Sequence, residues 1–106
     1  MLVFSSSASA QDDEPFAGGY ISMPVTSAEA QQNARFAVAS RAKRKGQKIV
    51  FVKLLKAKQQ VVAGMNYRLC MRVRVNGRIQ TVTAVVFQNL QKRKSLTSWN
   101  TTGDCG

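Results

Sequence analysis

The side chains able to do covalent or acid–base chemistry are few in this sequence. They are two cysteines, Cys70 and Cys105, and five carboxylates, Asp12, Asp13, Glu14, Glu29 and Asp104; histidine is absent. Without histidine there is no Ser–His or Cys–His pair, and the commonest metal ligand is missing. Two cysteines alone do not make a zinc site. The carboxylates lie near the chain ends, so a glycosidase-type pair is not expected. No Gly-rich phosphate loop occurs. The residues therefore argue against an enzyme and against any cofactor or metal. What the two cysteines can form is one disulfide, which suits an oxidising compartment; the alternative is two free thiols in a reducing cytosol.

Charge gives the second constraint. The 106 residues carry a formal net charge of +11, and all sixteen Lys and Arg lie between Arg35 and Lys94. No Asp or Glu occurs from Ala30 to Gly103. The folded body should favour acidic partners, whether an acidic protein, a nucleic acid or an anionic membrane. No apolar run approaches the length of a membrane span. Residues 1–19 read as a signal remnant and flexible tail, with Ala8-Ser9-Ala10 in the small-x-small form of a cleavage site, and residues 20–106 as one domain. Secretion is the expected localisation, with the cytoplasm as the alternative. Asn100-Thr101-Thr102 is a glycosylation sequon for a secreted eukaryotic protein.

The elements that must position these groups follow from periodicity. Thr26 with Glu29 forms a capping-box pattern, and Ser27 to Lys45 lacks Gly and Pro. Ala30, Ala34, Ala37, Val38 and Arg41 recur at helical spacing as one face, with Phe36 beside it. Gly46 is the expected stop. Lys48 to Val62 reads as a long strand broken by Gly64. From Met65 to Val75 apolar residues alternate with Asn66, Arg68, Cys70, Arg72 and Arg74. Asn76-Gly77 signals a hairpin, Arg78 to Phe87 a strand, and Ser95 to Asn100 a short last strand. The expected fold class is α+β, with one long helix packed on an antiparallel sheet of four to five strands. Alternation puts Cys70 on the polar outer face, where the tail bearing Cys105 can fold back and meet it.

Gln60-Val61-Val62-Ala63-Gly64 resembles the Gln-x-Val-x-Gly first hairpin of cystatins. The preceding Phe51 to Gln59 is similar to the strand leading into that hairpin in plant cystatins, and Ala34-Arg35-Phe36-Ala37-Val38 is similar to their helix signature. Asn33, Ser40 and Arg41 depart from that signature, which prefers an aliphatic residue at the first of them. Gly18-Gly19 precede the helix as the amino-terminal glycine does in the family.

The resemblance implies a reversible inhibitor of papain-like cysteine proteases that acts as a monomer. It would fill the active-site cleft with an amino-terminal segment (Phe16, Ala17, Gly18, Gly19), the first hairpin (Gln60 to Gly64) and a second hairpin (Asn89, Leu90). Leu90 takes the wedge position, as in the stefin branch; Trp99, the only tryptophan, is expected to pack in the last strand. Gly64 is expected to matter for inhibition more than for folding. The competing reading is a basic module that binds nucleic acid or an anionic membrane, although exposed aromatics for base stacking are scarce.

Overall fold

The computed structural model describes residues 18–105 of the chain. In chain order it holds β1 (Ile21–Met23), α1 (Ala28–Lys45), β2 (Ile49–Val62), β3 (Gly64–Val75), β4 (Arg78–Gln88) and β5 (Lys94–Thr102). The strands form one antiparallel sheet in the order β1-β2-β3-β4-β5, with α1 packed across one face. This is the expected helix-on-meander architecture with one added edge strand. Ile-Ser-Met is too short to show a period, and only pairing against Ala57 to Gln59 of β2 makes it a strand.

The helix begins one residue later than its capping pattern predicts. Ser27, not Thr26, is the N-cap, and its hydroxyl oxygen accepts from the Ala30 N–H at 3.1 Å. Glu29 makes no capping box; its carboxylate instead accepts from the Tyr67 hydroxyl at 2.5 Å, which ties the first turn of α1 to β3. Burial and this bonded carboxylate push the Tyr67 phenol up to about 12. The helix ends at Gly46, with basic Lys43, Arg44 and Lys45 in its last turn.

Ala30, Ala34 and Ala37 are fully buried, and these small side chains let the helix lie close to Leu69, Met71, Val73, Val82, Ala84 and Val86 of the sheet. Arg41 sits at the margin of that face, where its guanidinium lies 5.6 Å from the centre of the Trp99 ring. Trp99 packs against the core, as expected. Asn33 also falls on the buried face, at 0% exposure. Its amide nitrogen donates to the Glu29 carbonyl, while its Oδ1 has no partner among the described residues.

A simple alternation does not describe β2. Its register against β3 shifts between Phe51 and Lys53 and again between Leu54 and Lys56. Each shift inserts one extra residue and restores the facing. Phe51, Leu54 and Ala57 therefore pair with Val73, Met71 and Leu69 of the inner face, while Lys53, Lys56 and Lys58 pair with Arg72, Cys70 and Arg68 of the outer face. The three-residue apolar spacing of Phe51, Leu54 and Ala57 is thereby made compatible with a strand. At the far end, Asn76 and Gly77 take positive φ values of 49° and 88°, as a tight two-residue turn requires.

Candidate functional site

One end of the sheet gathers the residues singled out in the sequence. The first hairpin turns at Ala63, with Val62 paired to Gly64 across it. Val61, at 60% exposure, stands two residues before the turn, Val62 is half-buried and Ala63 is exposed. Gly64 is buried, with φ at +118°. A Cβ there would come 2.3 Å from the Gln88 carbonyl oxygen and 3.2 Å from both Asn89 Cα and Phe87 Cε1. The backbone of the first hairpin thus rests on the start of the second. The close approach that Gly64 permits is inside the molecule, which gives it a role in folding beside the expected one in binding.

Gln60 joins the first hairpin to the amino-terminal segment. Its Nε2 donates to the Gly18 carbonyl at 2.9 Å, and its Oε1 accepts from Asn66 Nδ2 at 3.0 Å. Tyr20 lies under the Arg68 guanidinium, 5.8 Å from ring centroid to carbon. β1 pairs Ile21 with Gln59, so the chain ahead of it runs towards Val62 along the sheet edge. Gly18 is half-buried and Gly19 exposed. Phe16 and Ala17, expected to belong to the same segment, lie outside the described residues.

The second hairpin links Gln88 to Lys94, and Asn89 organises it. The Asn89 Oδ1 accepts from the N–H groups of Gln91 and Arg93, both at 2.9 Å. Its own N–H donates to the Arg93 carbonyl, and its carbonyl accepts from the Lys92 N–H. Four bonds through one asparagine hold a five-residue turn, with Lys92 at φ 70°. Leu90 projects from it at 72% exposure. Trp99 is in β5, nine residues beyond, and is not part of the turn.

The amino-terminal segment, the first hairpin and the second hairpin thus form a row across the end of the sheet, with apolar Val61 and Leu90 outermost. Lys92 and Arg93 follow Leu90 in the same turn, and no carboxylate of the described residues belongs to these three segments. Among the described residues no cluster of three or more His, Cys, Asp or Glu could hold a metal, and no helix is long and apolar enough to cross a membrane. Cys70 and Cys105 form a disulfide with Cα atoms 5.7 Å apart, on the face of the sheet opposite the helix.

Sequence reasoning did not foresee Asn66, Tyr20 with Arg68, or Phe87 as supports of this end. Their partners are distant in sequence, and only strand register brings them together. Asn89 was foreseen as a contact residue; its turn-holding bonds follow from a familiar propensity of asparagine.

A family profile described as aspartic acid proteinase inhibitor matches residues 23–102. Among solved structures, the salivary cystatin of the soft tick Ornithodoros moubata is 26% identical, with a TM-score of 0.70, covering 80% of this chain and 97% of its own. Mialostatin, a gut cystatin of the hard tick Ixodes ricinus, is 17% identical with a TM-score of 0.70, covering 81% and 99%. A protein named Al-CPI is 21% identical with a TM-score of 0.65, covering 80% and 100%. No curated protein sequence matches this chain.

Proposed function

The chain belongs to the aspartic acid proteinase inhibitor family, built here on the cystatin fold, and from that premise we propose that it is a reversible inhibitor of papain-like cysteine proteases. It is an inhibitor and not an enzyme. The observation that carries the reading is the row of three segments, Gly18-Gly19, Gln60 to Gly64 and Asn89-Leu90, at one end of a rigid sheet. A papain-type cleft is narrow, and its nucleophile is a thiolate. Val61 and Leu90 enter it as apolar tips, each gaining about 1–3 kcal/mol from burial. The hairpins lose little entropy on docking because Gln60, Asn89 and the packing at Gly64 already hold them. Gly18 and Gly19 let the backbone turn away before a peptide bond reaches the thiolate. Phe16 and Ala17 occupy the neighbouring subsites. The inhibitor acts as a monomer in an oxidising, extracellular setting, which the disulfide suits.

A second reading has its own support. The description of the family names aspartic proteinases, and the same row of tips can fill the cleft of such an enzyme. Titration of papain and of pepsin with the purified protein separates the two. Stoichiometric loss of papain activity, with pepsin unaffected, is the expected result. Val61→Asp should weaken papain inhibition by about 2–4 kcal/mol, since a carboxylate would be desolvated in the cleft. Inhibition of pepsin alone would overturn the cysteine-protease reading. Undiminished papain inhibition by Val61→Asp would overturn the wedge.

A further inference from the structure

The outer face of the sheet carries a band of cations of which the row of hairpins uses only Arg68, through its contact with Tyr20. Lys53, Lys56 and Lys58 of β2 face Arg72, Cys70 and Arg68 of β3, and Arg74 continues the band. Of these cations all but the half-buried Lys58 are exposed, while Cys70 is buried. The two irregularities in β2 place Lys53 and Lys56 on one face, where unbroken alternation would put them on opposite faces. Two cross-strand pairs, Lys53 with Arg72 and Lys58 with Arg68, set like charges opposite each other, an arrangement that destabilises a sheet. No carboxylate of the sheet offsets them. The described residues hold two carboxylates, and Glu29 is on the helix side, bonded to Tyr67. The other, Asp104, precedes Cys105, which the disulfide holds at Cys70 in the middle of the band, so a single carboxylate adjoins six cations.

This face also has a shallow cleft, lined by Lys56, Lys58, Arg68, Cys70, Thr83 and Cys105. The disulfide forms part of its wall and keeps the carboxyl-terminal segment folded on the sheet. From Arg68 to Arg74 the band runs about 20 Å along β3. A repulsive row of this length, aligned by two bulges, fits a long anion with repeated charges.

We propose that this face binds a linear sulfated polysaccharide. Sulfate esters stay ionised at every pH a protein meets, and their repetition matches the row of Lys and Arg. The band between Lys53 and Arg74 has no exposed aromatic ring on which bases could stack, which disfavours single-stranded nucleic acid. The disulfide suits the extracellular space, where sulfated polysaccharides occur. The face is opposite the helix and separate from the Val61 and Leu90 tips, so polysaccharide and protease do not compete.

Binding of the full chain to dextran sulfate, neutral dextran and single-stranded DNA at low salt tests this. The parent should bind dextran sulfate more tightly than DNA of equal charge and should not bind neutral dextran. The variant Lys53→Gln/Lys56→Gln/Arg72→Gln should lose about thirtyfold in affinity for dextran sulfate. A control with the same net charge, Lys43→Gln/Lys45→Gln/Lys48→Gln, should lose less than about threefold. Both variants replace exposed side chains, and each is confirmed folded by far-UV circular dichroism and by a cooperative urea transition with the parent's slope. Equal losses in the two variants would show net charge rather than this face, and tighter binding to DNA would show a different partner; either result overturns the proposal. Failure to inhibit any protease would leave the polysaccharide result standing, since the two are read separately.

Discussion

Replacing Gly64 by Ala tests whether the two hairpins are held by contact between their backbones. The added Cβ would sit 2.3 Å from the Gln88 carbonyl oxygen, with Asn89 Cα and Phe87 Cε1 at 3.2 Å. The nearest obstacle is backbone, so rotation of a side chain cannot relieve it. The residue also has φ +118°, a conformation costing a non-glycine residue about 1–3 kcal/mol. Relief of the overlap requires moving the β3–β4 pairing near Met65 and Gln88, at a further cost of about 1–3 kcal/mol. The combined loss is about 2–6 kcal/mol, a large share of the stability of a domain this size. Urea unfolding followed by far-UV circular dichroism should show a lowered midpoint with an unchanged slope. Protease inhibition by the folded fraction should also weaken, because the second hairpin is displaced with the first. A stability loss below about 1 kcal/mol would refute the reasoning, since it would mean that the hairpins do not rest on each other.

Asn33→Leu should raise stability by about 1–2 kcal/mol in the same assay, because it removes a fully buried Oδ1 without a partner and adds apolar contact. An unchanged or lowered midpoint would contradict that account. Removing the disulfide with Cys70→Ser/Cys105→Ser opens a loop of 35-residue separation, for an expected loss of about 4 kcal/mol in the chain-entropy view. The Tyr67 phenol is pushed up to about 12 in the fold, above its ordinary value of 10, so its neutral form is favoured there. Its contribution is complete below pH 10 and fades as pH rises through about 12. The stability difference between parent and Tyr67→Phe should therefore shift by about 2–3 kcal/mol in favour of Phe over that window. A difference independent of pH would argue against the raised phenol, and so against the burial and the Glu29 bond that cause it.

Much of the architecture was legible because local chemistry and packing agree. Ala30, Ala34, Ala37 and Val38 carry a helical period, Met65 to Val75 alternates, and Asn76-Gly77 marks its turn. Each of these signals lies within one element and needs no partner to be read. The position of Cys70 on the outer face followed from alternation alone, and with it the pairing to Cys105. Leu90 could be placed in the second turn, and Trp99 in the strand after it, by counting strands.

Other features were decided by tertiary structure. Ile21–Met23 became a strand because β2 offered an unpaired edge. Ser27 replaced Thr26 as the cap because the chain enters the helix after the turn from Pro24 to Ser27. Glu29 left the capping role because Tyr67 came within reach. The spacing of Phe51, Leu54 and Ala57 has the look of a helix face, and only the bulges against β3 reveal how a strand accommodates it. The reason Gly64 must be glycine was also hidden, because the atom it makes room for belongs to Gln88, distant in sequence. Local sequence encodes periods, caps and turns through short-range sterics and hydrogen bonds. It does not encode which distant backbone will lie against a given residue, and the row of hairpin tips is built from such approaches.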